Sequence, residues 1–453
     1  MILADLIKKY NVPAPRYTSY PTVPYWNEVA PTVKEWTSDV KKSFLLSNNT
    51  DGISLYIHLP FCESLCTYCG CNTRITKNHE VEKPYLGAVL KEWTLYKNLF
   101  EEKPIIKEIH LGGGTPTFFS PENLTFLING LLDGAVVHRE AEFSFEGHPN
   151  NTTKTHLQTL YNLGFRRVSF GIQDFDEKVQ LIINRVQSVE QVRQVTEIAR
   201  ETGYTSINYD LIYGLPLQTL EGLQNTVNEV IRLKPDRIAF YSYAHVPWVK
   251  PGQRKFTEEH LPNVSDKQSL YETGRRMFIA AGYKDVGMDH FAAESDSLYQ
   301  ADVEGKLHRN FMGYTNQYTR LMIGLGVSSI SDSWTAFSQN VKKVEEYHAL
   351  VNDSHFPIFK GHILTDEDLL IRKHILNIMC KGETNRFSDV PSSQALADTF
   401  SRLKYLERDG LLLAGEYSLT VTPLGKRFLR NICMAFDRRL IESEQKARFS
   451  MAG

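Results

Sequence analysis

Four of the chain's six cysteines lie within ten residues, in Phe61-Cys62-Glu63-Ser64-Leu65-Cys66-Thr67-Tyr68-Cys69-Gly70-Cys71. The other two, Cys380 and Cys433, stand alone far downstream. Cys62, Cys66 and Cys69 follow the spacing C-x3-C-x2-C, and three readings compete for it. Positions i, i+4 and i+7 share one face of a helix, where a buried cysteine is only a small apolar residue. A zinc site made of four cysteines is the second, but such sites usually pair two C-x-x-C units at a distance and no second unit exists here. The third is an iron–sulfur cluster, whose usual ligands are thiolates. Three ligands on a four-iron cluster leave one iron open to a substrate or cofactor, by analogy with catalytic zinc. On helical geometry Cys71 points about 200° away from Cys69, which makes it a non-ligand.

Regular elements must hold such a loop. Ile53 to His58 reads as a strand leading into the cysteines, and residues 80–100 show helical spacing with Tyr85, Val89, Trp93 and Tyr96 on one face. Strands follow at 105–111, 141–146, 167–172, 206–213 and 237–243, with helices at 121–133, near 153–163, up to about 202 and at 219–233. Six strand–helix alternations imply parallel strands with crossover helices, either an open doubly wound sheet or a barrel or partial barrel. Both put chemistry at the C-terminal ends of the strands. The special residues sit there: the cysteines, Gly112-Gly113-Gly114-Thr115-Pro116, Glu146, Gln173, Asp210 and Ala244. Asp210 stands in an otherwise apolar strand, where a buried carboxylate needs a partner. Residues 245–340 show no clear pattern. From about 364 the chain is helix-rich, and a helix, a turn at Gly410 and a hairpin through Glu416 to Thr422 resemble a winged helix.

The totals exclude several classes. The chain has 453 residues, 42% hydrophobic and 23% charged, with a net charge of -2. That balance carries no electrostatic footprint for nucleic acid. No run of about 18 apolar residues exists, so no membrane span is expected. Asp5 interrupts the N-terminal apolar stretch, which therefore does not read as a signal peptide. Clustered cysteines suit metal or catalytic duty in a reducing cytosol, so a cytoplasmic location is expected. The prolines of Pro13 to Thr22 call for an extended arm, either packed on a surface or covering a substrate.

The cysteine motif after a strand, followed by Gly112-Gly113-Gly114-Thr115-Pro116, resembles the radical S-adenosylmethionine enzymes. Cys71, Pro15-Arg16-Tyr17-Thr18-Ser19-Tyr20-Pro21-Thr22, Asp210 to Pro216, Gly287-Met288-Asp289-His290-Phe291 and Asn431-Ile432-Cys433-Met434 resemble the oxygen-independent coproporphyrinogen III oxidases, from about residue 10 to about residue 440. The resemblance implies an α/β fold: a partial (β/α)6 TIM-like barrel of the radical SAM type over 51–340. An N-terminal arm over the active site (1–50) and a mostly helical, winged-helix-like C-terminal lid or accessory domain (341–453) would complete it.

The resemblance also implies the anaerobic oxidative decarboxylation of two propionates of coproporphyrinogen III to vinyl groups, giving protoporphyrinogen IX in haem biosynthesis. A [4Fe-4S] cluster on Cys62, Cys66 and Cys69 and two molecules of S-adenosylmethionine (SAM) would serve it through a 5′-deoxyadenosyl radical. Tyr56, Gly113, Glu146 and Ile330 would contact the first SAM. Tyr68, Gly114, Thr115, Gln173, Arg185, Asp210 and Ala244 would contact the second. Tyr56 and Cys71 would be catalytic. A flavodoxin- or ferredoxin-type electron donor and a separate acceptor are implied, acting on a monomer. Arg16, His290, His308 and Arg309 are candidate contacts to the substrate's carboxylates. Two departures from the family's pattern stand out. Met312 and Asn316 replace its usual Gln and Thr after Arg309-Asn310, and Glu146-Gly147-His148-Pro149 lacks its usual Asp or Asn before Pro. A radical SAM haem chaperone, which binds haem without oxidase activity, is the competing relative. Cys71, Arg185 and the N-terminal arm favour the oxidase.

Overall fold

A computed structural model describes residues 3–27, 31–385, 394–415, 418–442 and 449–451. The chain divides into two units. The larger comprises Asn27–Tyr283 and Gln317–Ile363, and the smaller Met1–Trp26, Lys284–Asn316 and Leu364–Gly453. The boundaries expected at 50/51 and 340/341 both fall inside the larger unit.

Six parallel strands carry the larger unit: β1 (Ile53–Leu59), β2 (Ile105–Gly113), β3 (Val136–Gly147), β4 (Phe165–Gln173), β5 (Ser206–Tyr213) and β6 (Arg237–Ser242). They pair in sequence order, as strand–helix alternation requires. Four more strands extend the sheet on the far side of β1: β7 (Leu321–Leu325), β8 (Ile330–Asp332), β9 (Ala336–Asn340) and β10 (Ile358–Ile363). Strand β7 runs parallel to β1, with Ile53 opposite Leu321, and the three beyond it are antiparallel. Strand β1 is thus bonded on both edges, to β2 and to β7. Its residues are buried except Tyr56, as strands covered on both faces require.

Helix α1 (Val33–Ser47) precedes β1, and the long helices between the strands are α2 (Glu82–Lys97), α3 (Pro121–Leu132), α4 (Lys154–Asn162), α5 (Val189–Thr202) and α6 (Leu220–Leu233). Thr32 and Ser188 start α1 and α5 with reciprocal capping boxes to Glu35 and Gln191. The apolar face expected of α2 is fully buried at Tyr85, Val89, Trp93 and Tyr96. Trp93 donates its indole N–H to the Leu131 carbonyl at 3.0 Å, which fixes α2 against the end of α3.

In the smaller unit the N-terminal arm is irregular, as its prolines demand. Tyr17 and Tyr20 are buried in that unit's own core, and the Tyr17 hydroxyl donates to Asp437 Oδ2 at 3.1 Å. The winged-helix-like order is present: helix Gln394–Arg408, Gly410 at φ +75°, then antiparallel strands Leu412–Ala414 and Ser418–Val421. Glu416 and Tyr417 of the expected hairpin lie outside the described residues. Among the described residues, no helix is long and apolar enough to cross a membrane.

Candidate active site

The cysteine loop is irregular. Phe61–Cys62 forms a two-residue strand, and no helix spans 62–71. Neither the shared helical face nor the 200° separation of Cys71 from Cys69 therefore applies. Cys71 is exposed, and its thiol is paired with that of Cys69. That pairing holds Cys69 below the usual thiol range and pushes Cys71 well above it. Burial pushes Cys62 up to about 11, against a contact of 3.3 Å with Thr115 Oγ1.

Backbone contacts rather than a helix fix the loop. Arg74 N–H donates to the Pro60 carbonyl (2.8 Å), and Thr76 N–H to the Cys62 carbonyl (2.9 Å). Thr67 N–H donates to the Ile183 carbonyl (2.9 Å), and Asn184 Nδ2 to the Leu65 carbonyl (2.8 Å), tying the loop to the turn after the short helix Glu177–Ile182. Lys250 Nζ donates to the Cys71 carbonyl at 3.1 Å, and Gln253 Nε2 bridges the Tyr68 and Ala244 carbonyls at 3.3 and 3.2 Å.

A cavity of about 740 Å³ opens at the C-terminal ends of β1–β5. It brings together Cys62, Cys66, Tyr68, Cys69, Cys71, Gly113, Gly114, Thr115, Glu146, Gln173, Arg185 and Asp210. Tyr56, Ala244 and Ile330 are not on its wall. Tyr56 lies one layer down. Its hydroxyl meets His58 Nδ1 at 3.1 Å, its ring stacks on His110 at 6.0 Å, and a Cβ on Gly112 would stand 3.1 Å from it.

The three glycines at the end of β2 serve close packing within the protein as well as an open wall. Gly113 has φ +111°, and a Cβ there would lie 2.7 Å from the His58 ring. Next to it, Glu146 accepts from Gly113 N–H at 3.3 Å and lies 3.5 Å from His110 Nε2. Asp210 accepts from Ser169 Oγ and Asn208 Nδ2, both at 2.9 Å, so its partners are neutral donors rather than an ion pair. Burial, reinforced by the Glu146 charge, pushes Asp210 up to about 6. Arg185 donates to the Gly171 carbonyl through Nε (3.1 Å) and Nη2 (2.6 Å), with Nη1 3.7 Å from Cys66 Sγ.

Sequence reasoning passed over Ser169, Asn208, His148 and Gln187. Asn208 stands two positions before Asp210 on the same face of β5, a period-two signal that was available. The four basic candidates of the smaller unit fare differently. Arg16 pairs with Asp289 at 3.3 Å, and Arg309 is buried over the Tyr314 ring at 4.5 Å. His290 meets the Met288 carbonyl at 2.8 Å. Burial, with the Arg372 charge, pushes His308 down to about 3, which disfavours its charged form.

The donor set fits an iron–sulfur cluster. Three free thiols of one short loop face one cavity, with a guanidinium beside them. The cavity has room for a group larger than a single ion.

Comparison with known proteins bears on the same residues. The Radical SAM superfamily pattern matches residues 56–230. The oxygen-independent coproporphyrinogen III oxidase of Synechocystis sp. is 38% identical over 460 residues, covering 99% of this chain and 97% of that protein. The Escherichia coli protein of the same name is 35% identical over 450 residues, covering 98% and 97%. The solved coproporphyrinogen III oxidase of Escherichia coli, a radical SAM enzyme, matches with a TM-score of 0.89 at 35% identity, over 96% of this chain and 99% of that one. With identity at this level along nearly the whole of both chains, and with the cysteine loop at the mouth of the matching fold, this chain belongs to the oxygen-independent coproporphyrinogen III oxidase family of the Radical SAM superfamily.

Proposed function

We infer that the chain converts coproporphyrinogen III to protoporphyrinogen IX without oxygen, by oxidative decarboxylation of two propionate side chains in haem biosynthesis. The observation that carries this reading is the joining of three loop thiols, Glu146 and Asp210 in one cavity, on a chain similar over its length to enzymes of that name. When bound, the [4Fe-4S] cluster and SAM supply the one-electron cleavage that yields a 5′-deoxyadenosyl radical for hydrogen abstraction from the propionate β-carbon.

The chain's own part is binding and orientation. Cys62, Cys66 and Cys69 hold the cluster. Glu146, braced by Gly113 N–H and His110, offers a carboxylate to the ammonium group of the first SAM. The bare backbone of Gly113 lets that ligand approach, and Tyr56 and Ile330 support this side of the site. Tyr68, Gly114, Thr115, Gln173, Arg185 and Asp210, all on the cavity wall, receive a second SAM, and Ala244 supports them from behind that wall, its carbonyl tied through Gln253 to Tyr68. Gln173, at φ +68°, holds a conformation that non-glycine residues keep only where the surroundings enforce it. Cys71, which is exposed, takes part in turnover rather than in cluster binding.

The reading implies a cytoplasmic monomer supplied with electrons by a flavodoxin- or ferredoxin-type protein and relieved of them by a separate acceptor. The test is anaerobic incubation of the reconstituted protein with coproporphyrinogen III, SAM and a reductant. Divinyl product is expected. Tight haem binding with no product would instead assign the chain to the haem-chaperone relatives.

A further inference from the structure

We propose that Arg185 sets the reduction potential of the cluster by donating a charge-assisted N–H···S hydrogen bond to the Cys66 ligand sulfur. This rests on the cluster assignment above and adds a role to the SAM contact proposed for the same side chain.

The geometry is built into the end of β4. The register between β4 and β5 shifts between Gly171 and Gln173, the mark of a bulge. The Gly171 carbonyl accepts from Arg185 Nε at 3.1 Å, from Arg185 Nη2 at 2.6 Å and from Gln187 Nε2 at 3.1 Å. Two bonds from one planar group to one oxygen fix the plane of the guanidinium. Its remaining nitrogen, Nη1, then lies 3.7 Å from Cys66 Sγ. A Cβ at Gly171 would stand 2.8 Å from Arg185 Nη2 and 2.7 Å from Gln173 Nε2, so a side chain there would displace the guanidinium and the amide. Glycine, bulge and amide together hold one cation against one sulfur.

The consequence follows from charge. Reduction adds an electron to a cluster already made anionic by its thiolates. A fixed positive charge and a hydrogen bond to a ligand sulfur stabilise the more negative state, and both are established determinants of cluster potential. The guanidinium has five N–H groups, of which this arrangement uses three, so two stay free for a carboxylate ligand in the cavity.

The test is an anaerobic redox titration of the reconstituted protein, without SAM, followed by electron paramagnetic resonance and paired with iron and sulfide analysis. Arg185→Met is expected to keep its iron and to show a midpoint potential more negative than the parent's. Arg185→Lys, which keeps the charge but not the fork, is expected to fall between the two. An unchanged midpoint in an iron-replete Arg185→Met variant overturns the proposal. Should that variant fail to take up iron, Arg185→Lys decides alone: a negative shift supports the role and an unchanged midpoint overturns it. A parent protein without any [4Fe-4S] signal would instead remove the cluster assignment itself, so the two failures are distinct.

Discussion

Gly114 and Pro60 are packed backbone against backbone: a Cβ on Gly114 would stand 2.6 Å from the Pro60 carbonyl carbon and oxygen, while Gly114 N–H donates to Leu59 at 2.8 Å. The chain leaving β2 is therefore seated on the chain entering the cysteine loop. Gly114→Ala must move one of two main chains and is expected to cost on the order of 2 kcal/mol, with reduced iron uptake. Urea melts and iron analysis check this. Gly87→Ala is the control. Its site in α2 has nothing within 4 Å, and the exchange is expected to stabilise by roughly 0.5–1 kcal/mol.

The cysteines divide by role. Cys66→Ser is expected to lose the cluster and with it all SAM cleavage, because a hydroxyl is a poor substitute for a soft thiolate. Retention of full iron and sulfide in that variant would sink the ligand assignment. Cys71→Ser is expected to keep iron and sulfide at parent levels and to lose most of its turnover. Loss of iron there would make Cys71 a ligand.

Asp210 offers a test of the second SAM. Its carboxylate is already oriented by Ser169 and Asn208. Asp210→Asn replaces one acceptor oxygen by a donor facing one of these two donors. It is expected to weaken SAM binding by at least tenfold at one site, about 1.4 kcal/mol, while iron content stays at the parent level. Equilibrium dialysis should read a fall from about two SAM per chain to about one. A single SAM per chain in the parent would refute the two-site reading.

Glu92, on α2, gives a pH signature far from the cysteines. Its carboxyl accepts from Gly326 N–H (2.8 Å), Asn340 Nδ2 (2.7 Å) and Tyr347 (2.6 Å), yet burial outweighs these and pushes it up to about 7. A raised carboxyl means that the folded chain holds a proton which the unfolded chain has released. Its contribution is complete below about 4.5 and lost as the pH rises through 7, a decline of about 3 kcal/mol. Glu92→Gln cannot titrate, so the fall in urea midpoint between pH 5 and pH 8 is expected to shrink. An identical fall in parent and variant would remove Glu92 as its source.

The six barrel strands and the helices between them were legible because each alternates with a long periodic helix, and α2 announces itself by Tyr85, Val89, Trp93 and Tyr96. Strand β7 was not. It has five residues, includes Gly324, and takes its partner from β1 far upstream, so no local signal marks it. The first half of β3 was missed for the opposite reason: Val136 and Val137 are exposed and the segment lacks a buried face. In the site, residue types at strand ends pointed to the cavity wall. The placement of Cys71 was misjudged because a helical angle was applied to a loop held by long-range backbone bonds. Gln187 and the Gly171 carbonyl were invisible, since a bulge depends on register between strands and not on the residues of one.

The pairing of β1 with β7 has a consequence for biosynthesis. One edge of the strand that launches the cysteine loop is completed by residues that leave the ribosome long after it. A nascent chain that has made β1 through β6 holds its thiols on a sheet still open at β7. That second edge is completed only after residue 325 has been added, so the strand that launches the loop is among the last of the sheet to gain both neighbours.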